Sequence, residues 1–455
     1  MTIAFILTST ATYLYWNTLS LMKEELLHYV WQHQYFDKAD LLTDQGEKLI
    51  VLRPGHHNTD AGPDFLNARL QIGEVEWNGA VEIHLRASDW QRHQHQTDPK
   101  YDQVVLHVVY AADQPVQRTN GSVISSLTLA PRLTPALLTT YAALGGNLDA
   151  VSVPCAPFLP LVPGITRTMM LGRALLERME QKADLIEAQN KHLGGDWEAT
   201  TYHALATAFG FKKNSEPLAR LAKAVPLSVL RRHRHDSLQT EALLFGQAGL
   251  LPTAPDLPPS DAYLAGLCRE YEFLRHKYEL GALALPAHAW NFLRLRPANF
   301  PTVRIAQLAA LLHARPALFD ALLTAGSVAA LEQFFRVAVS PYWQAHYRPG
   351  SPSKVAALGR SSIHLLIINV VVPLRVAYAR HVGQPELVEQ AVALLEQLPA
   401  EHNHLTAPYE ALHFEHRTAA DSQGLLAMHH GYCQPRRCLK CAVGSRILQH
   451  NLPPR

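Results

Sequence analysis

Across residues 24–36 the apolar positions Leu26, Leu27, Tyr29, Val30, Trp31 and Phe36 recur at helical spacing among polar ones, which predicts one amphipathic helix ending near Asp37. The period then changes. Residues 48–53 (KLIVLR), 67–72 (NARLQI), 79–85 (GAVEIHL) and 104–110 (VVLHVVY) are short, β-branched and separated by turn-rich sequence, so each is expected as a strand. Residues 111–165 hold one more strand-like stretch and then Pro154, Pro157, Pro160 and Pro163, the pattern of a linker or a wrapping segment. Beyond Thr166 the chain turns to long Ala-, Leu- and Glu-rich stretches that predict helices, with no fixed repeat period and a proline-rich surface loop at 253–263.

This reading gives an α/β domain at 22–150, a mixed sheet flanked by helices, followed by a mostly α-helical region at 151–455. Residues 1–21 are apolar but lack an early Lys or Arg and a small-residue cleavage site. They are expected to be a start-site extension, because MKEELLHYVWQ from Met22 opens a helix cleanly. The composition, 48% hydrophobic and 18% charged over 455 residues, is that of a folded chain, and a net charge of +2 confines any nucleic-acid contact to a local patch. Five cysteines do not make a secreted disulfide framework, so a reducing cytoplasm is expected, with no membrane segment. Neither a phosphate-binding GKT/GKS loop nor a G-x-G-x-x-G is present, which argues against a nucleoside triphosphate site.

The histidines and acids concentrate between residues 55 and 110, where Asp60, Asp64, Glu82, His84, Asp89, His93, His95, Asp98 and His107 share one compact stretch. Asp64 follows Pro63 at the start of a strand, and Glu82 and His84, two apart on the next, point to one face. Such a set suits Mg2+ or Mn2+, which prefer oxygen ligands. Asn58, Asp60, His93 and His95 are expected at the cleft, with Ser88 or Asp89 capping a helix that holds His93 and His95 on different faces. In the structural alternative, Asp60 and Asp64 end a Gly-Pro turn and Glu82 pairs with Arg69 or Arg86.

Two further clusters carry chemistry. Cys433, Cys438 and Cys441 form C-x4-C-x2-C, a chelating spacing for zinc or an iron–sulfur cluster; Cys155 is the favoured fourth ligand, with His429 or His430 as alternatives and Cys268 left to packing. Arg294, Arg296 and Arg304 surround a Pro-Asn-Phe-Pro turn near Trp290 and Phe300, a candidate phosphate-binding and base-stacking surface whose alternative is a structural corner. Residues 231–235 are a short basic run expected in a solvated loop.

The pair Pro63-Asp64 followed by Glu82-Ile83-His84 resembles the pattern of the PD-(D/E)XK nuclease superfamily, with a restriction-endonuclease-like fold. The resemblance implies that Asp64 and Glu82 hold a divalent metal, that Ile83 offers its carbonyl, and that Glu25 is the accessory acid on the first helix. His84 stands where the pattern has lysine, and an imidazole is not a fixed cation at neutral pH. The cysteine plan is similar to that of iron–sulfur nucleases, although there the lone cysteine precedes the motif and here Cys155 follows it. Residues 22–110, RLRPANFP, EALLFGQAG at 241–249 and the cysteine trio also resemble an uncharacterised bacterial family, domain of unknown function 2851. The expected activity is therefore metal-dependent phosphodiester hydrolysis on nucleic acid. Its rivals are a silent nucleic-acid-binding or scaffold protein of the same fold, and a zinc-dependent hydrolase of another substrate class using His84 with His93 or His95.

Overall fold

The structure, a computed structural model, describes residues 22–145, 153–252, 261–355 and 357–450. The expected extension at 1–21 and most of the loop at 253–263 lie outside the described residues. An N-terminal mixed sheet with flanking helices is followed by a mostly helical region. The chain forms two compact units. One takes in the described residues of Met1–Gly172, Asn403–Glu415 and Leu426–Arg455; the other comprises Arg173–His402 and His416–Leu425.

In the first unit, helix α1 (Glu24–His33) buries Leu26, Leu27, Tyr29, Val30 and Trp31 on one face. It stops where Gln34 turns left-handed at φ 57, and the amides of Gln34 and Tyr35 bond back to the carbonyls of Trp31 and Val30. The strands are β1 (Leu49–Arg53), β2 (His56–His57), β3 (Phe65–Ile72), β4 (Val75–Arg86), β5 (Val104–Ala111), β6 (Val116–Gln117), β7 (Val123–Ile124) and β8 (Ser126–Thr128). The main sheet runs β1-β3-β4-β5-β8, with β2 on β3; β1, β3 and β4 are antiparallel, whereas β5 pairs parallel with both β4 and β8. The crossover from β4 to β5 contains only one helical turn, α2 (Asp89–Arg92), and two 3-10 turns.

Strand β4 changes character along its length. Residues 75–78 are exposed, where only the hairpin partner β3 lies alongside, and residues 80–84 are buried, where β5 adds a second neighbour. The strand therefore carries Glu82 and His84 into the interior, opposite His107 and Val109 of β5. Below it, Ala80, Ala87, Trp90, Val104, Val109, Val116 and Ile124 form a small core, and Trp90 donates its indole N–H to the Gln117 carbonyl.

Further along, α3 (Pro135–Gly145) is followed by α4 (Gly164–His192). The expected boundary at 150 does not separate the units, because residues 153–172, 403–415 and 426–450 pack with the sheet rather than with the helical unit. The return of the chain explains this: Tyr29 Oη lies 2.6 Å from Ser445 Oγ, and Gln449 donates to the Tyr35 hydroxyl at 2.7 Å, which fixes the C-terminal helix (Ala442–His450) on α1. Hydrophobic periodicity reports neighbours within a turn or a hairpin and is blind to such long-range closure.

The second unit is held by a large apolar core that includes Tyr202, Phe209, Phe245, Leu308, Phe335 and Trp343. Its segment Arg360–Val382 is long and apolar enough to cross a membrane by length and composition, yet 72% of its most apolar window is buried inside the protein.

Gly79 sits where β4 meets β5, and a Cβ there would fall 2.5 Å from Val105 Cγ1 and 2.6 Å from the Gln103 carbonyl. Gly79→Ala is expected to cost ~1–3 kcal/mol by overpacking, whereas Gly172→Ala, on α4 with nothing within 4 Å, is expected to be neutral or stabilising. Thermal melts of the two variants check this.

Candidate metal centre

Asp64 immediately precedes β3 and Glu82 lies within the buried half of β4, so the pairing of these strands brings the two carboxyl groups side by side. Backbone amides of the two strands' own segments fix both. The Asp64 amide donates to Glu82 Oε2 at 3.1 Å, and the Ile83 amide donates to Asp64 Oδ2 at 2.9 Å. The remaining carboxylate oxygens, Asp64 Oδ1 and Glu82 Oε1, accept no hydrogen bond among the described residues. Burial, and then the Asp64 carboxylate beside it, push the Glu82 carboxyl up to about 9. Arg69 pairs with Glu76 instead, and the cross-strand arginine partner of the structural alternative is absent from Glu82 among the described residues.

On the first helix, Glu24 rather than Glu25 belongs to this site. Glu24 and His28 are four residues apart and share a face. Burial and the charge of Asp64 raise the Glu24 pKa. Glu25 is exposed, one position and about 100° further round the helix, where its charge is felt by Tyr141. His28 Nε2 lies 3.3 Å from Asp64 Oδ2, close enough for charge attraction but off line for a hydrogen bond. Burial works against its protonation, yet Asp64 and then Glu24 and Glu82 outweigh it and leave the His28 pKa raised. The pattern Glu24-x-x-x-His28 was available in the sequence as the signal for both residues.

The histidines of the crossover converge as well. His84 Nε2 lies 3.1 Å from His93 Nδ1 and 3.5 Å from Glu82 Oε1, His95 Nε2 lies 3.3 Å from Glu82 Oε1, and His84 Nδ1 bonds His107 Nε2 at 2.9 Å. The expectation of His93 and His95 on different faces of a helix fails because α2 ends at Arg92 and Gln94 turns left-handed at φ 62, and both rings lie against His84 of β4. Burial and the surrounding His107, His95 and His93 pull His84 down to about 2, and burial pulls His107 down to about 3, so both are neutral imidazoles at pH 7. The expected cap at Ser88 is not formed; Ser88 bonds Asp113, and Asp89 accepts from the Arg86 amide. Asn58 and Asp60 shape the loop before β3, with Asn58 donating to the Pro63 carbonyl and accepting from the Asp60 amide, and neither joins the carboxylate pair.

The four cysteines form a second group within the same unit. Cys155 is buried within electrostatic reach of Cys433, Cys441 and Cys438. A π-helical turn at His429–Cys433 and a 3-10 turn at Cys438–Lys440 present the trio, and a Cβ on Gly444 would meet the Cys438 carbonyl at 2.2 Å, so the knuckle closes tightly on the following helix. The Tyr409 hydroxyl bonds the Cys433 sulfur and lies 3.1 Å from His429 Nδ1. His430 is exposed and bonded to the Leu426 carbonyl. Cys268, in the other unit, is half-buried with its thiol 3.7 Å from the Pro252 carbonyl. Thiols are the donors a soft metal prefers, and carboxylate oxygens those a hard one prefers.

Of the two readings of residues 290–304, the structural corner is the one met at Arg304 and Trp290. Arg304 is buried, bonded to Gln307, Asn299 and Ser362 and stacked 4.3 Å over Phe211, which makes it a structural corner. Trp290 is buried with its indole N–H on the Ala248 carbonyl, so it offers no face to a base. Only Arg294 and Arg296 of that trio are exposed. The run at 231–235 is partly built in, with Arg231 on Glu198 and His233 between Gln239 and Tyr278.

A family model described as a protein of unknown function (DUF2851) matches residues 24–404. No curated protein and no solved structure matches the chain.

The perturbed groups fix the sign of a pH effect. Glu82, raised from 4.5 to about 9, binds its proton in the folded state and releases it on unfolding, so stability falls as pH rises through that window. His84 and His107, depressed from 6.5, act oppositely and only below that value. Lys182, lowered from 10.5 to about 7, acts in the opposite sense over part of this window, so between pH 6.5 and 9 the melting temperature of the chelator-treated wild type is expected to fall relative to that of Glu82→Gln; a difference that does not change with pH would show another group to be responsible.

Proposed function

This chain belongs to the DUF2851 family, whose description assigns no activity, and from the site itself we propose a divalent-metal-dependent nuclease that hydrolyses phosphodiester bonds in nucleic acid. The observation that carries the reading is the pairing of Asp64 with the buried Glu82, where the Asp64 amide holds the Glu82 carboxyl and the Ile83 amide holds the Asp64 carboxyl, at the start of β3 and the middle of β4. The order of elements around them, helix, antiparallel strands, a helical turn and a parallel strand, is the order that the Pro-Asp and Glu-x-His pattern requires. Asp64 and Glu82 would hold Mg2+ or Mn2+, which when bound polarises a phosphoryl oxygen and lowers the pKa of an attacking water.

The protein's own residues divide the remaining tasks. His84 occupies the lysine position but is neutral, and its bond to His107 fixes the ring so that Nε2 faces the carboxylates and orients a water there. His28, whose surroundings favour a proton, supplies the positive charge that the missing lysine does not. Local cations compensate for the low net charge: Arg92 acts electrostatically on His84, and Lys440, on the cysteine knuckle, acts on His57. That is the kind of rim a phosphate backbone needs. The Cys155, Cys433, Cys438 and Cys441 set would hold zinc or an iron–sulfur cluster and clamp the C-terminal segment against α1.

Incubation of the full chain with Mn2+ or Mg2+ and labelled single- and double-stranded DNA and RNA tests the proposal. Cleavage is expected to fall at least ~10³-fold in Asp64→Asn and Glu82→Gln, and ~10²-fold in His28→Gln. Cleavage undiminished in Asp64→Asn, or no cleavage of any of these substrates by the wild type, would sink the nuclease assignment.

A further inference from the structure

The histidines beside Glu82 do more than surround a carboxylate. A tetrahedral zinc site with metal–ligand bonds of about 2.0–2.1 Å has ligand atoms ~3.3 Å apart. Three edges here have that length: His84 Nε2 to His93 Nδ1 is 3.1 Å, His95 Nε2 to Glu82 Oε1 is 3.3 Å, and His84 Nε2 to Glu82 Oε1 is 3.5 Å. The three histidines' ligand atoms all lie within 4.8 Å of one another. An ordinary hydrogen-bonded histidine cluster explains the His84–His93 contact but not His95, which is 8% exposed and whose Nε2 is sealed from water without a hydrogen-bond partner. That nitrogen lies 3.3 Å from Glu82 Oε1.

The surroundings are those of ligating imidazoles. His84 turns its second nitrogen to His107 at 2.9 Å, the outer hydrogen bond that metal-bound histidines characteristically make. Tyr101 stacks on His95 with ring centroids 3.7 Å apart, and Trp90 stands edge-on to both His95 and His107, so the ring orientations are set by packing. Asp64 is bonded to the Ile83 amide and paired with His28, and no hydrogen bond or ion pair joins it to His84, His93 or His95 among the described residues.

We propose that His84, His93, His95 and Glu82 Oε1 form a transition-metal site of the zinc class, separate from the oxygen site that Asp64 completes. Three imidazoles and one carboxylate favour Zn2+ over Mg2+, because nitrogen donors suit the softer ion. Glu82 then serves both positions, one through each oxygen. The site goes beyond the nuclease reading and does not rest on it; with zinc bound, His84 Nε2 is a ligand and no longer the group that orients a water.

The test uses the full chain, stripped with a chelator and reloaded with Zn2+ alone, with total zinc and its ligand atoms read by elemental analysis and X-ray absorption. His93 is exposed, so His93→Ala removes a ligand without opening the core. The wild type is expected to hold one more equivalent of nitrogen- and oxygen-ligated zinc than His93→Ala, whose affinity at this site falls at least ~100-fold, the upper end of what losing even an outer partner costs. Asp64→Asn keeps that zinc. Equal zinc content and affinity in the wild type and His93→Ala would overturn the proposal, and so would its loss from Asp64→Asn with retention in His93→Ala. Cleavage plays no part in the readout, so failure of the nuclease assignment leaves this result standing.

Discussion

Two carboxyl groups pressed together away from water are costly unless a proton or a cation balances them. Glu82 is in that position beside a half-buried Asp64, and the backbone holds both, since the Asp64 amide grips Glu82 and the Ile83 amide grips Asp64. The architecture of the first unit follows from keeping this pair in place. Antiparallel β3 sets Asp64 against β4, parallel β5 covers β4 and supplies His107, and α1 brings Glu24 and His28 over the top. The stress is visible in the Glu82 carboxyl, which burial and Asp64 together drive to about 9.

Much of this arrangement was legible in the sequence because it is local. Strand alternation placed Glu82 and His84 on one face, and the apolar period of α1 placed its buried residues. What was hidden depended on phase or on packing. The resemblance points to Glu25, whereas the four-residue spacing to His28 puts Glu24 inward. His93 and His95 were separated by assuming that α2 continues, and the left-handed Gln94 that reunites them has no unambiguous sequence signal. Arg304 and Trp290 carry residue types suited to nucleic acid but are buried by the helical unit, and only tertiary context reveals it.

The cysteines show a third regime. The tight trio announces itself by spacing, whereas Cys155 was paired with it on chemistry alone, and the fold brings all four into one unit. The same return lays the helix Ala442–His450 on α1 through Tyr29 and Ser445. Metal or cluster binding at the cysteines would thus stabilise the helix that carries Glu24 and His28, since closing so long a loop removes much chain entropy.

Anomalous diffraction from crystals soaked in Mn2+ tests the central claim most directly. A manganese peak is expected between Asp64 and Glu82, about 2.0–2.3 Å from a carboxylate oxygen of each. Ordered, well-defined Asp64 and Glu82 side chains with no manganese between them, at concentrations that occupy other sites on the protein, would contradict it.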